Sequence, residues 1–153
     1  MFKTLAHRVD RDEIMARLGA VHADSHRRWG RMTARQMVCH LADSCRAVLG
    51  LKRLERRDNW FTRTVVKWFA LWGPLPWPKG VPTAPEVDQM TDGTKPSVFE
   101  RDVADLRMLL QRLIDEADLV SRQSHSMFGH MTHAEWLRWA YLHTDHHLRQ
   151  FGA

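Results

Sequence analysis

The sequence lacks any apolar run that approaches the ~20 residues of a membrane-spanning helix. Its first residues carry charge from Lys3 onward and lack the apolar core of a secretory signal, so we expect a cytoplasmic protein. Cysteine is also scarce. The only two, Cys39 and Cys45, lie six positions apart in one predicted helix and cannot bridge each other there. The sequence therefore argues against a membrane-spanning protein and against a disulfide-stabilised secreted domain.

Proline is absent from most of the chain, because all six prolines fall between residues 73 and 96. Proline lacks the backbone N–H donor and clashes with the preceding turn, so this segment cannot continue a helix. We interpret it as an ordered crossover loop that lies on the rest of the domain. Strand signals are lacking too, since no window alternates apolar and polar residues between hairpin turns. The rest of the chain is therefore expected to be helical.

Helical periodicity predicts four principal helices and one extra aromatic helical segment at residues 59–72. Two of the helices open with capping boxes, at Thr33–Gln36 and Thr132–Glu135. In chain order the four helices cover residues 10–22, a stretch from Thr33, about Pro96 to Leu119, and Thr132 to about Phe151. With 153 residues, 44% of them apolar and 27% charged, the composition suits one soluble domain spanning residues 1–153. The predicted fold class is all-α, a four-helix bundle with one long crossover.

Three of the ten histidines lie on predicted inward helix faces. His143 and His147 are four positions apart, which places two side chains ~6 Å apart along a helix and about 40° apart around it. His40 lies on the apolar face of the second helix. Together the three imidazoles would supply a metal site with an open coordination position, as in catalytic zinc sites. The spacing also fits three separate core histidines, each bonded to a carbonyl or carboxylate. The stripe that includes the pair on the last helix also contains Trp136, Ala140 and Phe151.

Polar residues near these histidines are further candidates for the site, and two of them have two interpretations each. Asp43, three positions after the first histidine, would orient an imidazole or act as a base, or it would be a surface carboxylate in a salt bridge. Gln150 would bond the site or face the neighbouring helix. Asp145 and His146 are expected to point elsewhere, because neighbouring helical positions differ by ~100°. Cys39 is expected to be a small core residue, not a nucleophile.

An aromatic cluster and a basic run precede the crossover. The cluster would form an apolar pocket above the metal with Trp72 and Trp77 at its mouth, or a dimer surface, a membrane contact or plain core. The basic run, Lys52–Arg57, contributes to a formal net charge of +5. It fits an anionic partner or a solvated helix end, and no motif for specific nucleic-acid binding accompanies it. The cluster consists of Trp60, Phe61, Trp68, Phe69, Trp72 and Trp77.

Two segments resemble the DinB/YfiT-like superfamily of metal-dependent four-helix bundles. WGRMTARQMVCHLAD, residues 29–43, contains the histidine of the second helix, and HTDHHLRQ, residues 143–150, matches H-x-x-x-H followed by x-x-Q on the last helix. The segments PKGVPTAPE, residues 78–86, and HLRQFG, residues 147–152, resemble more narrowly a bacterial branch without an assigned activity. The likeness extends over nearly the whole chain.

This resemblance implies a DinB-like bundle, ligand roles for His40, His143 and His147, a divalent zinc or nickel ion, and a homodimer. Similar superfamily members include thiol transferases and an isomerase that depends on a low-molecular-weight thiol. We therefore expect a metal-dependent small-molecule (thiol) transferase or hydrolase with a low-molecular-weight thiol as co-substrate. The alternative is a non-catalytic bundle that binds a metal or ligand and associates with itself.

Overall fold

The structure, a computed structural model, describes residues 2–153 and is mostly helical, in agreement with the all-α prediction. Strands β1, Ser124–His125, and β2, Gly129–His130, form a short antiparallel pair between the last two helices. None of the helices in residues 2–153 is long and apolar enough to cross a membrane. The helices are α1 (Arg8–Gly19), α2 (Ala34–Val48), α3 (Lys67–Trp72), α4 (Phe99–Asp115), α5 (Ala117–Ser121) and α6 (His133–Gln150).

Both predicted capping boxes are confirmed. The Thr33 hydroxyl accepts the N–H of Gln36, while the Gln36 side chain accepts the N–H of Thr33. Thr132 and Glu135 make the same reciprocal pair at the start of α6. Each box satisfies two helix N–H groups that would otherwise lack partners. The two helices that carry the candidate metal ligands therefore begin at residues fixed by their own sequence.

The core lies where α2 packs along α4 and where α6 packs against α1, α2, α3 and α5. An apolar seam runs along α4, since its residues Phe99, Leu106, Leu110 and Leu113 are buried. Burying a leucine side chain stabilises a fold by roughly 1.5–3 kcal/mol. Further fully buried members of the core are Leu5, Ile14, Leu18, Met37, Leu41, Leu49, Leu71 and Met131.

The bounds of two predicted helices need correction. The first helix is Arg8–Gly19, so Val21 is buried in the turn that follows it. The third does not run from Pro96 to Leu119, because α4 covers only Phe99–Asp115 and α5 follows separately. At the start, Asp102 accepts both the N–H and the hydroxyl hydrogen bond of Ser97, which holds the chain ahead of the helix in an extended form.

The crossover is fastened to α2 by polar contacts. Within it, Pro85–Val87 forms a single 3-10 turn. The Val87 carbonyl accepts a hydrogen bond from His40, and the Thr94 N–H and Gln89 amide donate to Asp43. A proline-rich segment with little regular structure is thereby held against the helix that carries the first candidate ligand.

We expect Thr132→Ala to lower the free energy of unfolding by about 1 kcal/mol, because the N-terminal amides of α6 lose their acceptor. Urea unfolding followed by far-ultraviolet circular dichroism measures the change. Thr83→Ala, in the crossover and without a side-chain hydrogen bond in the described chain, should change it by less than about 0.5 kcal/mol. Equal losses in both variants would contradict the capping role.

Candidate metal centre

Three histidine side chains from two helices converge on one point. His40 comes from α2, and His143 and His147 come from α6; one ligand nitrogen of each lies within 4.8 Å of the other two. The Nε2 atoms of His40 and His143 are 3.1 Å apart. Two imidazole nitrogens bound to one tetrahedral zinc ion lie about 3.3 Å apart, from bond lengths near 2.05 Å. The spacing of His40 and His143 therefore suits one divalent metal ion, with a nitrogen of His147 within 4.8 Å of both.

The outer nitrogens of two of these rings are fixed by acceptors. Nδ1 of His40 donates to the Val87 carbonyl over 2.8 Å, and Nδ1 of His147 donates to Oε1 of Gln150 over 2.9 Å. Each bond places the proton on Nδ1 and leaves the Nε2 lone pair for the centre. Metal-binding histidines normally donate their second nitrogen in this way. If the three were separate core histidines, their Nε2 atoms would have no reason to point at one another, so the geometry favours a shared site.

The protonation of the third ring follows from the same bonds. Because Nδ1 of His40 donates to Val87, its Nε2 can only accept from Nε2 of His143. With this bond His143 carries its proton on Nε2. To bind a cation through Nε2, His143 would carry the proton on Nδ1 instead, and the cation would receive the Nε2 lone pairs of both rings.

Burial keeps these imidazoles neutral. It lowers the pKa of His40, although the Val87 hydrogen bond acts in the opposite direction. It lowers the pKa of His143 and of His147 well below the usual histidine range, and repulsion from the neighbouring imidazoles adds to the effect. Neutral imidazole is the form that binds metals, so no positive charge on these rings opposes a cation at neutral pH.

The centre is closest to solvent at His143. His40 and His147 are only 5% and 8% exposed, whereas His143 is half-buried. Its ring lies 4.7 Å from the Trp139 ring and 5.9 Å from the Trp77 ring, centroid to centroid. A small molecule would therefore approach beside His143, between two indole side chains.

Gln150 is positioned by the loop before α2. Its amide donates to the carbonyl of Trp29 over 2.9 Å while its oxygen holds His147. Gly30 has a φ of +79°, and a Cβ there would collide with the Gln150 amide. The Gln150 side chain thus accepts a hydrogen bond from His147, which is one of the two roles expected for it. Sequence reasoning missed the part played by Gly30 and Val87, because a turn glycine and a backbone carbonyl have no signature as site residues.

Asp43 occupies a different position from either of its expected ones. Its carboxylate is fully buried and accepts from Arg46 and Lys52, each over 2.9 Å, and from the Gln89 amide and Thr94. Among residues 2–153 no histidine donates to it. Burial alone would raise its pKa, but the hydrogen bonds from Lys52 and Thr94 outweigh burial and hold the pKa below the usual range. The salt bridges exist as expected, but inside the protein, and the hydrogen bonds from Gln89 and Thr94 join α2 to the crossover.

The remaining polar residues lie outside the cluster. The ring of His146 contacts Trp29 and Trp77 at centroid distances of 6.0 Å and 6.2 Å. Asp145 accepts from Arg17 over 2.7 Å. Cys39 is buried, and burial, together with nearby Asp102, raises the pKa of its thiol to about 12. A thiol with such a pKa is not a nucleophile at neutral pH.

The two tryptophans expected at the pocket mouth are separated. Trp77 lies near the centre, and its indole N–H donates to the Ala70 carbonyl over 2.7 Å, which fixes its position. Trp72 instead packs on Phe2, at 5.3 Å between centroids, and lies beside the Arg138 guanidinium. Arg138 also donates to the carbonyl of Leu71, the residue before Trp72, and this bond holds the end of α3 against α6. Only Trp77 of the two contacts a histidine ring.

Replacing Asp43 with asparagine should lower the free energy of unfolding at pH 7 by about 2–3 kcal/mol, because Arg46 and Lys52 lose a buried counter-charge. The folded-state pKa is depressed, so this stabilisation is full above the unfolded pKa of about 4 and is lost as the pH falls through the lower folded value. Urea unfolding at a series of pH values measures it. The exposed Asp118→Asn variant should change the free energy of unfolding little. A difference in stability between the wild type and Asp43→Asn that grows as the pH falls would contradict the lowered pKa of Asp43.

Replacing Gln150 with leucine should weaken zinc binding about 10- to 100-fold, because His147 loses the acceptor that orients its ring. Isothermal titration calorimetry of tag-free protein with zinc measures the affinity. Gln111→Leu on the exposed side of α4 is the matched control and should retain the affinity. Unchanged affinity in Gln150→Leu would exclude this positioning role.

A family model described as a protein of unknown function, DUF1569, matches residues 7–153 of the chain. The matched span contains the three histidines, Gly30 and Gln150. Neither the comparison with curated proteins nor the comparison with solved structures gave a match. Because the model covers almost the whole sequence, the chain belongs to the DUF1569 family.

Proposed function

We propose that His40, His143 and His147 hold a divalent metal ion and that the protein is a metal-dependent enzyme for a small molecule, a thiol transferase or hydrolase. The observation that carries the proposal is the convergence of three imidazole nitrogens with two outer N–H groups anchored. Imidazole donors suit zinc and nickel, whereas magnesium and calcium prefer oxygen. Three protein ligands also leave a coordination position open, as catalytic zinc sites do.

The DinB-like fold is part of the same proposal. We infer that α1, α2, α4 and α6 form a four-helix bundle of that type and that the crossover 73–96 is its long connection. The packing of α2 against α4 and of α6 against α1 and α2 supports this arrangement. So does the position of the ligands, one on the second and two on the last of these four helices.

The residues around the centre have separable tasks in this reaction. A bound divalent cation would act as a Lewis acid that lowers the pKa of a water or thiol at its open position. Val87 and Gln150 hold two imidazoles in the tautomer that presents Nε2. Trp77 and Trp139 flank His143 and supply apolar surface for a small substrate. A low-molecular-weight thiol is the co-substrate that this chemistry would favour.

A second function has its own support. Asp43 lies three positions after the proposed ligand His40, and its oxygens are engaged by Arg46, Lys52 and Thr94. It is therefore not free to act as a general base beside the metal. A non-catalytic bundle that binds a metal, alone or as a dimer, would need no such base.

We expect His143→Ala to abolish stoichiometric binding of zinc or nickel, because it removes one of three nitrogens from the centre. His146→Ala, three residues along α6 and outside the cluster, should keep full occupancy. Metal content of protein purified without a histidine tag, measured by inductively coupled plasma mass spectrometry, distinguishes the two. Equal losses from both substitutions, or wild-type protein that never holds a stoichiometric metal, would contradict the site.

The same two variants decide between the functions. Loaded wild-type protein and His146→Ala should transfer a low-molecular-weight thiol to a model electrophile or hydrolyse a model ester, and His143→Ala should not. Metal that binds stoichiometrically but gives no turnover above the His143→Ala background would favour the non-catalytic function.

A further inference from the structure

A helical segment on the surface exposes large apolar side chains that the fold does not use. It runs from Trp60 to Trp72 and consists of a short helical start, a π-helical turn at Thr62–Val66 and α3. Five residues on or just after it are each more than half exposed, Trp60 by 75%. We call these five residues the aromatic face: Trp60, Phe61, Trp68, Phe69 and Leu75.

The opposite side of the segment is fastened to the protein. Leu71 is fully buried, and its carbonyl accepts a hydrogen bond from Arg138. Lys67 donates to the His130 carbonyl and pairs with Glu135 of α6 over 2.7 Å. The segment is therefore held firmly by one side while the other remains in solvent.

The π-helical turn places the aromatic residues on one side. Eight residues of regular α-helix separate Phe61 from Phe69 and would rotate the second by about 80° from the first. A π-turn absorbs one extra residue, which reduces the offset to about 20°. The same holds for Trp60 and Trp68. The four aromatic side chains expose roughly 400–500 Å² together, about the size of the largest apolar patch on a typical monomer, which is often functional.

The residues beside the aromatic face are basic. Between Lys52 and Lys67 the chain has six basic and two acidic residues. Lys52 and Lys67 pair with Asp43 and Glu135, so four arginines and two acidic residues remain, a net +2. The side chains of Arg56, Arg57 and Arg63 are 62%, 50% and 51% exposed. Arg63 lies within the helical segment itself, and both Arg56 and Arg63 bond Asp58, which ties the basic run to the segment.

We propose that the aromatic face and the basic run form a docking surface for an anionic lipid bilayer. Tryptophan and phenylalanine enter the boundary between headgroups and acyl chains, and neighbouring arginines are attracted to anionic headgroups. A second copy of this chain is the less suitable occupant. A symmetric contact through this face would bring two segments of net +2 together, and juxtaposed like charge opposes association.

Vesicle co-sedimentation tests this proposal. The full-length protein should bind vesicles of phosphatidylcholine mixed with phosphatidylglycerol and should bind pure phosphatidylcholine weakly. The double variant Trp60→Ser, Trp68→Ser should lower partitioning at least about tenfold, because two indoles no longer enter the interface. Arg57→Gln should lower it about fivefold on anionic vesicles, and less at high salt.

Matched controls lie on other surfaces. Met108→Ser removes an exposed apolar side chain from α4, and Arg8→Gln removes an exposed charge from α1; both should bind as wild type does. The substituted side chains are exposed, so circular dichroism should be unchanged in every variant.

Three results would overturn the proposal: no binding to anionic vesicles, equal loss in the controls, or a concentration-dependent dimer in analytical ultracentrifugation that the double variant dissociates. The last would assign the face to a second copy. Binding of single-stranded RNA that the double variant loses, without vesicle binding, would assign it to nucleic acid.

Discussion

Two buried polar side chains on α2 impose the constraint on which the centre depends. His40 and Asp43 lie about one turn apart on the buried face of the helix, and a buried polar group without a partner is costly. The helix backbone cannot satisfy them, because its own groups bond each other. The crossover supplies what is missing through the Val87 carbonyl and through Thr94. A segment with six prolines is ordered chiefly by this need.

On the last helix, α6, the buried His147 is also satisfied with the help of a loop, the one that precedes α2. His147 donates to Gln150, whose amide bonds the Trp29 carbonyl, and Gly30 leaves room for it. Two rings are thus oriented from outside the cluster by two unrelated loops. His143, the third, lies between indole rings and remains half-buried. A preorganised set of donors with one accessible side is what a catalytic metal site requires.

The aromatic segment, Trp60 to Trp72, has one side that packs in the core and one side that is exposed to solvent. Its inner side contributes Leu71 to the core, and Trp77 is held near the centre through the Ala70 carbonyl. Its outer side makes no such contribution. Exposed tryptophans cost solubility without stabilising the fold, and their position beside a basic run is the reason for the proposed lipid contact. The proposed lipid contact concerns this outer side and is independent of the chemistry at the histidines.

Features that depend on neighbours within a turn or two could be predicted from the sequence. These are the capping boxes at Thr33 and Thr132 and the His143–His147 spacing, because each joins residues three or four positions apart. Packing between distant parts of the chain set which backbone carbonyl His40 bonds, and it turned Asp43 toward Lys52 and Thr94 instead of an imidazole. It also decided that Trp77 and not Trp72 would reach the centre. Every residue has a carbonyl, and a carboxylate pairs with whichever cation the packing brings near, so such partners leave no pattern in the sequence.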